Sequence, residues 1–514
     1  MADTKREIER KYEGPATENG TESLPDLSGV PGVAAVVDKG VAELDATYYD
    51  TPDQRLAAAS LTLRRRTGGA DAGWHLKLPV SEGVRDEIRA PLSDTVPRAL
   101  SGLVRSRVRD TELVPLVRLL SARDVRHLVD GSGALLAEVS LDRVRAERLD
   151  GGGGTAAWTE IEVELADDGD PAFLDKVEKK LRKAGLHRSA APSKLAKALA
   201  ETGKQSGKRA QEGGRAAEPA PAADPVTAGD HVLAHLRAQR DAIVELDPAV
   251  RRDVHDSVHS MRVATRRMRG TFGSYAKVLD PAVTGPIGEE LKWLAGELGV
   301  DRDREVLTER LTQALAELPR TLVGGPVRAR LRTWAHARHG GSRRRLLAVL
   351  DGKRYLALLA ALDALVTDPP LLGAAAGDPE KVIAKAVRRD FAKVSGLVGQ
   401  ALDGQPGTDR DLAMHEARKK AKRARYSAEA AVPALDAPAA RLAKAMKSLQ
   451  GLLGDHQDSV MTREALRELA ALAHAAGESS FTYGVLYGRE EQRAAAVEAA
   501  LPEAWRATLE QASV

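Results

Sequence analysis

Glu7-Ile8-Glu9-Arg10-Lys11 is the stretch on which the reading of this chain turns. On a β-strand the side chains alternate between faces, so Glu7, Glu9 and Lys11 share one side while Ile8, Arg10 and Tyr12 share the other. Two carboxylates beside an ammonium make a poor core, because buried charge is costly unless it is paired or bound to a metal. The same set suits a wet interior where a divalent cation and an anionic substrate meet. Taken alone, the pentapeptide reads first as a solvated edge strand, so its meaning rests on what surrounds it.

The surroundings repeat the pattern. Short alternating segments punctuated by Gly, Pro and Asp fill residues 1 to 200, as in an antiparallel sheet or barrel. Arg64 and Arg66 oppose Leu61, Leu63 and Arg65 along one segment. In Trp74-His75-Leu76-Lys77-Leu78-Pro79, His75 and Lys77 are set apart from three apolar neighbours. Arg85, Glu87 and Arg89 share a face, as do Glu138, Ser140 and Asp142, and Glu160, Glu162 and Glu164 oppose Ile161, Val163 and Leu165. If the apolar faces pack outward against helices, the charged faces line the inside of a closed barrel. A multiply charged anion together with a divalent metal would satisfy both signs of charge in that interior. Arg123-Asp124-Val125-Arg126 departs from clean alternation and leaves open which arginine points inward; Arg126 is carried as the candidate.

At 514 residues the chain is too long for one ordinary domain, and two to four are expected. Aromatics are only 3%, so the cores must rest on Leu, Val and Ala. Charged residues nearly balance at +3, so net charge does not announce nucleic-acid binding, and none is expected. The absence of cysteine excludes disulfides and thiolate metal sites and fits a reducing compartment. No apolar leader or bilayer-length run is present, so the expectation is a cytoplasmic protein without a membrane partner.

Residues 201–226, rich in Gly, Ala, Pro and charge, read as a flexible linker between domains at 1–200 and 227–512. From His231 onward apolar residues recur three and four apart, which predicts helices. An internal repeat is visible there. His259, Arg262, Arg266, Arg267 and Arg269 recur with identical spacing as His415, Arg418, Lys422, Arg423 and Arg425, and LKWLAGELGVDRD (291–303) parallels MKSLQGLLGDHQD (446–458). A duplicated unit of roughly 150 residues follows. At 100° per residue, His255, His259, Arg262, Arg266 and Arg269 fall on one narrow stripe, and His415, Arg418, Lys419, Lys422 and Arg425 are their counterparts or neighbours. Such stripes are ordinarily solvated faces, but few acids stand at i±4 and the stripe occurs twice. Arg343, Arg344, Arg345, Lys353 and Arg354 form a further basic cluster that reads as solvated surface. Neither His259 nor His415 has metal-ligand spacing to a second histidine and a carboxylate, so no zinc site is expected at them.

Two resemblances complete the reading. EIERK (7–11), TYYDTP (47–52), LTLRRR (61–66), HLKLP (75–79), RDEIRAPL (85–92), EVSLD (138–142), EIEVEL (160–165) and Ser193-Lys194 together resemble a CYTH domain, the family of triphosphate tunnel metalloenzymes. HSMRVATRRMR (259–269), HEARKKAKRARY (415–426), LGVDRD and LGDHQD resemble a CHAD domain. The resemblance implies an α+β multidomain protein: an eight-stranded antiparallel β tunnel using Mg²⁺ or Mn²⁺, then an all-α domain of duplicated four-helix units that binds inorganic polyphosphate. By match to the family motif, Glu7, Glu9, Glu162 and Glu164 are metal-side acids, with Glu160 and Asp142 as further candidates. Lys11, Arg64, Arg66, Lys77, Arg85 and Lys194 match phosphate-binding cations, and Glu7, Glu9, Lys11 and Lys77 are carried as the catalytic set. The two stripes are the polyphosphate-binding residues.

The expected function is metal-dependent hydrolysis of tripolyphosphate or a nucleoside triphosphate in the tunnel, coupled to polyphosphate binding by the helical half. Association with polyphosphate granules would follow from it. An adenylyl cyclase of the tunnel type and a non-enzymatic polyphosphate scaffold are the alternatives; the full acidic set disfavours the scaffold.

Overall fold

Period-two alternation becomes eight long-range strands in the computed structural model, which describes residues 3–14, 23–151, 153–206, 225–339, 342–405 and 407–512. They are β1 (Asp3–Glu13), β2 (Ala35–Asp50), β3 (Thr62–Thr67), β4 (Gly73–Ser81), β5 (Val84–Ala90), β6 (Val114–Val129), β7 (Leu135–Arg148) and β8 (Thr155–Leu165). All pair antiparallel in the order β5-β4-β3-β2-β6-β7-β8-β1, and β1 closes the ring by pairing with β5 as well. Its first half (Asp3–Ile8) runs along β5 and its second (Glu9–Tyr12) along β8. A short β9 (His187–Arg188) extends the edge at Tyr12 and Glu13. The eight-stranded closed barrel expected from the sequence is present.

The apolar faces do point outward, onto helices. Leu63, Trp74, Leu76, Leu78 and Ile88 pack on Leu56 of α1 (Arg55–Ala58) and on Leu100, Leu103 and Val104 of α2 (Arg98–Val108). Across the barrel, Val139, Leu141, Ile161 and Val163 meet Phe173, Leu174, Val177 and Leu181 of α3 (Ala172–Lys183). Burying one such side chain contributes roughly 1.5–3 kcal/mol, so this contact alone decides which face of β7 and β8 looks inward. Leu195 and Ala198 of α4 (Lys194–Ser206) cover a third patch. In the turn after β3, Gly68 adopts φ +78°, and a Cβ there would stand 2.1 Å from the Glu43 carbonyl oxygen, so only glycine fits.

Helix α4 carries the chain through Ser206, so the first six residues of the segment read as a linker are helical; 207–224 lie outside the described residues. The chain divides into two units, 1–218 and 219–514.

The second unit is helical. It comprises α5 (Ala228–Arg252), α6 (Ser257–Ser274), α7 (Pro281–Glu297), α8 (Gly299–Ala316), α9 (Val327–His339), α10 (Ser342–Leu350), α11 (Lys353–Thr367), α12 (Pro379–Asp403), α13 (Thr408–Ala475) and α14 (Phe481–Gln511). A capping box opens α5: Asp230 N donates to Thr227 Oγ1 (3.2 Å) and Thr227 N donates back to Asp230 Oδ2 (2.9 Å). α13 is two helices joined at Asp436 (φ 48°, ψ −130°), between Pro433 and Pro438. With that break, α5, α6, α7–α8 and α9 recur in order as α12, the two halves of α13, and α14. The duplicated four-helix units are therefore present, and most of their apolar residues join one core. Among the described residues, no helix is long and apolar enough to cross a membrane.

Candidate functional site

The barrel interior is a cavity of about 540 Å³. Glu7, Glu9, Lys11, Arg64, Arg66, Lys77, Arg85, Glu162, Glu164 and Lys194, all singled out in the sequence, line it. Strand register explains why. Lys11 faces Glu162 and Glu9 faces Glu164 across β1 and β8, Glu7 faces Arg85 across β1 and β5, and Lys77 faces Glu87 across β4 and β5. Every one of these pairs lies on the charged face of its strand.

Arg126 does not line the cavity. Arg123, Val125 and His127 do, so the inward parity of β6 is odd and the sequence-based choice is corrected to Arg123. The partner across the sheet sets it: Arg123 is registered with Asp142 on β7. Arg126 pairs with Asp38 and Asp124 instead.

Two sectors of different chemistry result. Asp142, Glu160 and Glu162 are buried, and their carboxylate oxygens come within 4.8 Å of one another. Lys194 sits between them, its Nζ 2.9, 2.7 and 2.7 Å from the three. The Ser193 hydroxyl accepts from Ala196 N at 3.0 Å and starts α4, which delivers that lysine. Arg123 adds a hydrogen bond to Glu162 at 2.8 Å, and Lys11 another at 2.5 Å. Burial alone would raise the Glu162 pKa, but Lys11, Lys194 and Arg123 outweigh it and hold the group well below the usual carboxylate range. Glu164 lies apart from this trio and pairs with Lys5 at 2.6 Å. Three clustered carboxylates are the hard oxygen donors that Mg²⁺ or Mn²⁺ takes, so the residues fit a divalent ion once the Lys194 ammonium gives up its place among them.

Glu7 and Glu9 sit beside this set but are tuned oppositely. Burial raises the Glu7 pKa, and Glu87 and Glu164 add to it; Lys77, 2.5 Å away, only partly offsets them. For Glu9 burial also pushes upward, yet Lys11 and Lys77 win and hold it at about 2.

The second sector is cationic. Arg64 and Arg66 are largely buried on β3, and the Nε of each lacks a hydrogen-bond partner. Burial, then the neighbouring Arg64 and Arg123, lower the Arg66 pKa to about 9. That is a guanidinium short of negative charge, although Asp71 touches it. Glu87 is the hub beneath, holding His75 (3.0 Å), Arg89 (2.5 Å) and Arg64 (3.5 Å). Its face with Arg85 and Arg89 was visible in the sequence; nothing there marked it as the hub.

In the helical unit the stripes lie on α6 and the first half of α13, which touch where Gly270 packs on Tyr426. His259, Arg262, Arg266 and Arg269 run along α6. His255 does not, because α5 ends at Arg252 and both Asp253 and Asp256 take left-handed conformations, leaving His255 in an exposed turn. On α13, His415 Nδ1 lies 2.5 Å from Gln457 Oε1, Arg418 is 3.8 Å from Asp458, Lys419 pairs with Glu416 (2.6 Å) and Arg425 with Glu429 (2.7 Å). Lys422 lies one turn beyond Arg418.

A signal missed in the sequence links the two copies. Arg262 lies over Gly299 and Arg418 over Gly454, so closely that a Cβ would come within 2.6 Å and 3.2 Å of the guanidinium atoms. Both glycines belong to the repeated Leu-Gly step of LGVDRD and LGDHQD. Three members of the third basic cluster are engaged on the surface: Arg345 pairs with Glu297, Arg354 with Glu290, and Arg343 donates to the Val250 and Arg251 carbonyls.

Comparison with known proteins agrees with this geometry. The family model of the CYTH domain matches residues 5–199 and that of the CHAD domain residues 234–467. An uncharacterised protein of Mycobacterium tuberculosis is 38% identical over 499 residues, covering 94% of this chain and 92% of that one. This chain is a CYTH–CHAD protein. The thiamine-triphosphatase of Homo sapiens is 42% identical over 85 residues, which is 16% of the CYTH–CHAD chain and 31% of the human one. Among solved structures, the CHAD domain from the plant Ricinus communis aligns over 97% of its length and 56% of this chain, at 23% identity and a TM-score of 0.42.

Proposed function

We propose that the CYTH barrel is a metal-dependent phosphohydrolase acting on tripolyphosphate or a related triphosphate, and that the CHAD unit binds inorganic polyphosphate through the two stripes. The observation carrying the first part is the opposition, within one closed barrel, of partner-poor buried guanidiniums to a cluster of buried carboxylates. Arg64 and Arg66 each offer an unsatisfied Nε–H donor, and Arg66 stands in an excess of positive field, which a chain of phosphoryl groups would relieve. Glu7, raised by burial and by neighbouring acids, would be relieved by an added cation.

In this reading Glu7, Glu9 and Glu162, with Asp142 and Glu160, hold Mg²⁺ or Mn²⁺, which supplies Lewis-acid polarisation of the phosphoryl oxygens. Arg64, Arg66 and Arg85 orient the anion; Lys11, Lys77 and Lys194 neutralise charge that builds as the anhydride bond breaks. Little covalent work is left to the protein. The human relative named for thiamine triphosphate supports a triphosphate substrate.

The decisive experiment compares phosphate release with cyclic AMP formation, using tripolyphosphate and ATP under Mg²⁺ and Mn²⁺. Phosphate release from tripolyphosphate without cyclic AMP is expected. Cyclic AMP as the main product from ATP would overturn the hydrolytic reading.

A further inference from the structure

The helical unit also holds a cluster of metal-ligand type that the stripes do not use. Asp411 in the first turn of α13, His456 in its second half and Glu498 on α14 bring one oxygen or nitrogen each to within 4.8 Å of one another. The His456 side chain is only 2% exposed; its Nε2 lies 3.3 Å from Asp411 Oδ1 and 3.4 Å from Glu498 Oε1. Even so, Nε2 makes no hydrogen bond of acceptable geometry. A buried polar atom left so costs about 1–3 kcal/mol, which calls for an account.

The spacing supplies one. Ligand atoms about 2.0–2.1 Å from a tetrahedral ion stand roughly 3.4 Å apart. A direct N–H···O bond would instead draw nitrogen and oxygen to about 2.9 Å. One imidazole nitrogen with two carboxylate oxygens is a donor set for a first-row transition ion, whereas Mg²⁺ prefers oxygen alone. Among the described residues, the cation paired with this cluster is Arg410, 3.5 Å from the other oxygen of Glu498, and no ammonium bridges its three ligands as Lys194 bridges the barrel trio.

We propose that Asp411, His456 and Glu498 form a binding site for a divalent transition-metal ion, Zn²⁺ or Mn²⁺, that ties the two halves of α13 to α14. Its position gives the tie a task. The residue after His456, Gln457, holds His415, and the next, Asp458, faces Arg418. Asp411 stands one turn before His415 on the same helix. A metal fixing Asp411 and His456 therefore fixes both the helix bearing the second stripe and the segment that orients its side chains. The site was invisible to a spacing search, since its three ligands are spread over almost ninety residues.

The test uses the full chain, stripped with chelator and dialysed, then titrated with Zn²⁺ and separately with Mn²⁺ while bound metal is counted by mass spectrometry. His456→Gln and Glu498→Gln should each lose one equivalent of bound ion, or bind it at least about tenfold more weakly. Glu9→Gln, in the barrel, should keep that equivalent. Reloading the stripped parent should raise the melting temperature of the helical transition, and Glu498→Gln should not show the rise. Should His456→Gln fail to fold, the half-buried Glu498 position carries the comparison alone. If the parent and Glu498→Gln bind equal numbers of ions with equal affinity, Nε2 is only an ion-pair partner and the proposal is overturned.

Discussion

Arg123 and Asp142 face each other across β6 and β7 and close two parallel hydrogen bonds, Nε to Oδ1 and Nη2 to Oδ2, both 2.7 Å. Asp142 is fully buried, so this fork anchors the carboxylate cluster that Lys194 completes. Arg123→Ala would leave buried carboxylates short of a cation, and the barrel should lose about 3–5 kcal/mol of stability together with its activity. Arg126→Ala removes only two partly exposed ion pairs and should cost about 1 kcal/mol or less with activity kept. Thermal unfolding and phosphate release on the two variants check this; equal losses would return the inward role to Arg126.

Glu9→Gln keeps shape and deletes charge. Phosphate release should fall at least about 100-fold, nearly 3 kcal/mol of barrier, and excess Mg²⁺ or Mn²⁺ should not restore it. Chelation of the parent should reach the same floor. Because Lys11 and Lys77 overcome burial and hold Glu9 at about 2, the folded protein keeps it ionised until pH falls toward 2; its contribution to stability is full above the unfolded value near 4.5 and is lost over the same fall. The acid limb of the activity profile must therefore arise elsewhere. A rate that tracks a single group near pH 4.5 and disappears in Glu9→Gln would contradict the assignment.

Arg266→Glu with Lys422→Glu should weaken polyphosphate binding by the full chain at least tenfold and flatten its salt dependence. Two lost phosphate contacts correspond to a log–log slope shallower by roughly 1.4, taking the value for single-stranded polyanions. Arg328 and Arg506 are exposed and lie on α9 and α14, outside the two stripes, so reversing them is the matched control. Arg310 would be a poor control, being tied to the buried Glu490 at 2.7 Å. Equal weakening by both pairs would reduce the stripes to a generic basic surface.

His235, on α5, has its pKa lowered to about 4 by burial and then by Arg267 beside it, and its Nε2 has no hydrogen-bond partner. The unfolded chain takes up that proton near pH 6.5, well before the folded one does. The contribution is fully present above pH 6.5 and is lost as pH falls toward 4, about 2 kcal/mol of it by pH 5. His235→Leu should remove that part of the acid sensitivity, read as helical circular dichroism on heating at pH 7 and pH 5. An unchanged pH slope in the variant would place the sensitivity in other groups.

Much of this was legible because a barrel strand needs one apolar face, and β3, β4, β5, β7 and β8 show theirs plainly. β6 does not. Arg118, Asp124 and Arg126 occupy its outer face, with Arg118 bonded to Asp45, so neither side is apolar and parity is set only by the partner across β7. His255 was misplaced because wheel counting assumes an unbroken helix, and two left-handed aspartates interrupt it. Contacts between distant segments, such as the Glu87 hub or Arg262 over Gly299, carry no local periodicity at all.

The split allegiance of β1 has a consequence for how the protein is made. Its partners on β5 emerge about 75 residues later and those on β8 about 150 residues later. At 5–20 residues per second, β1 waits roughly eight to thirty seconds before its second half can be paired. During that interval Glu7, Glu9 and Lys11 keep the unpaired ribbon hydrated and disfavour its association with other nascent chains. The charges that line the finished cavity thus also act as gatekeepers during biosynthesis, and replacing them with apolar residues would tax solubility before it touched the folded state.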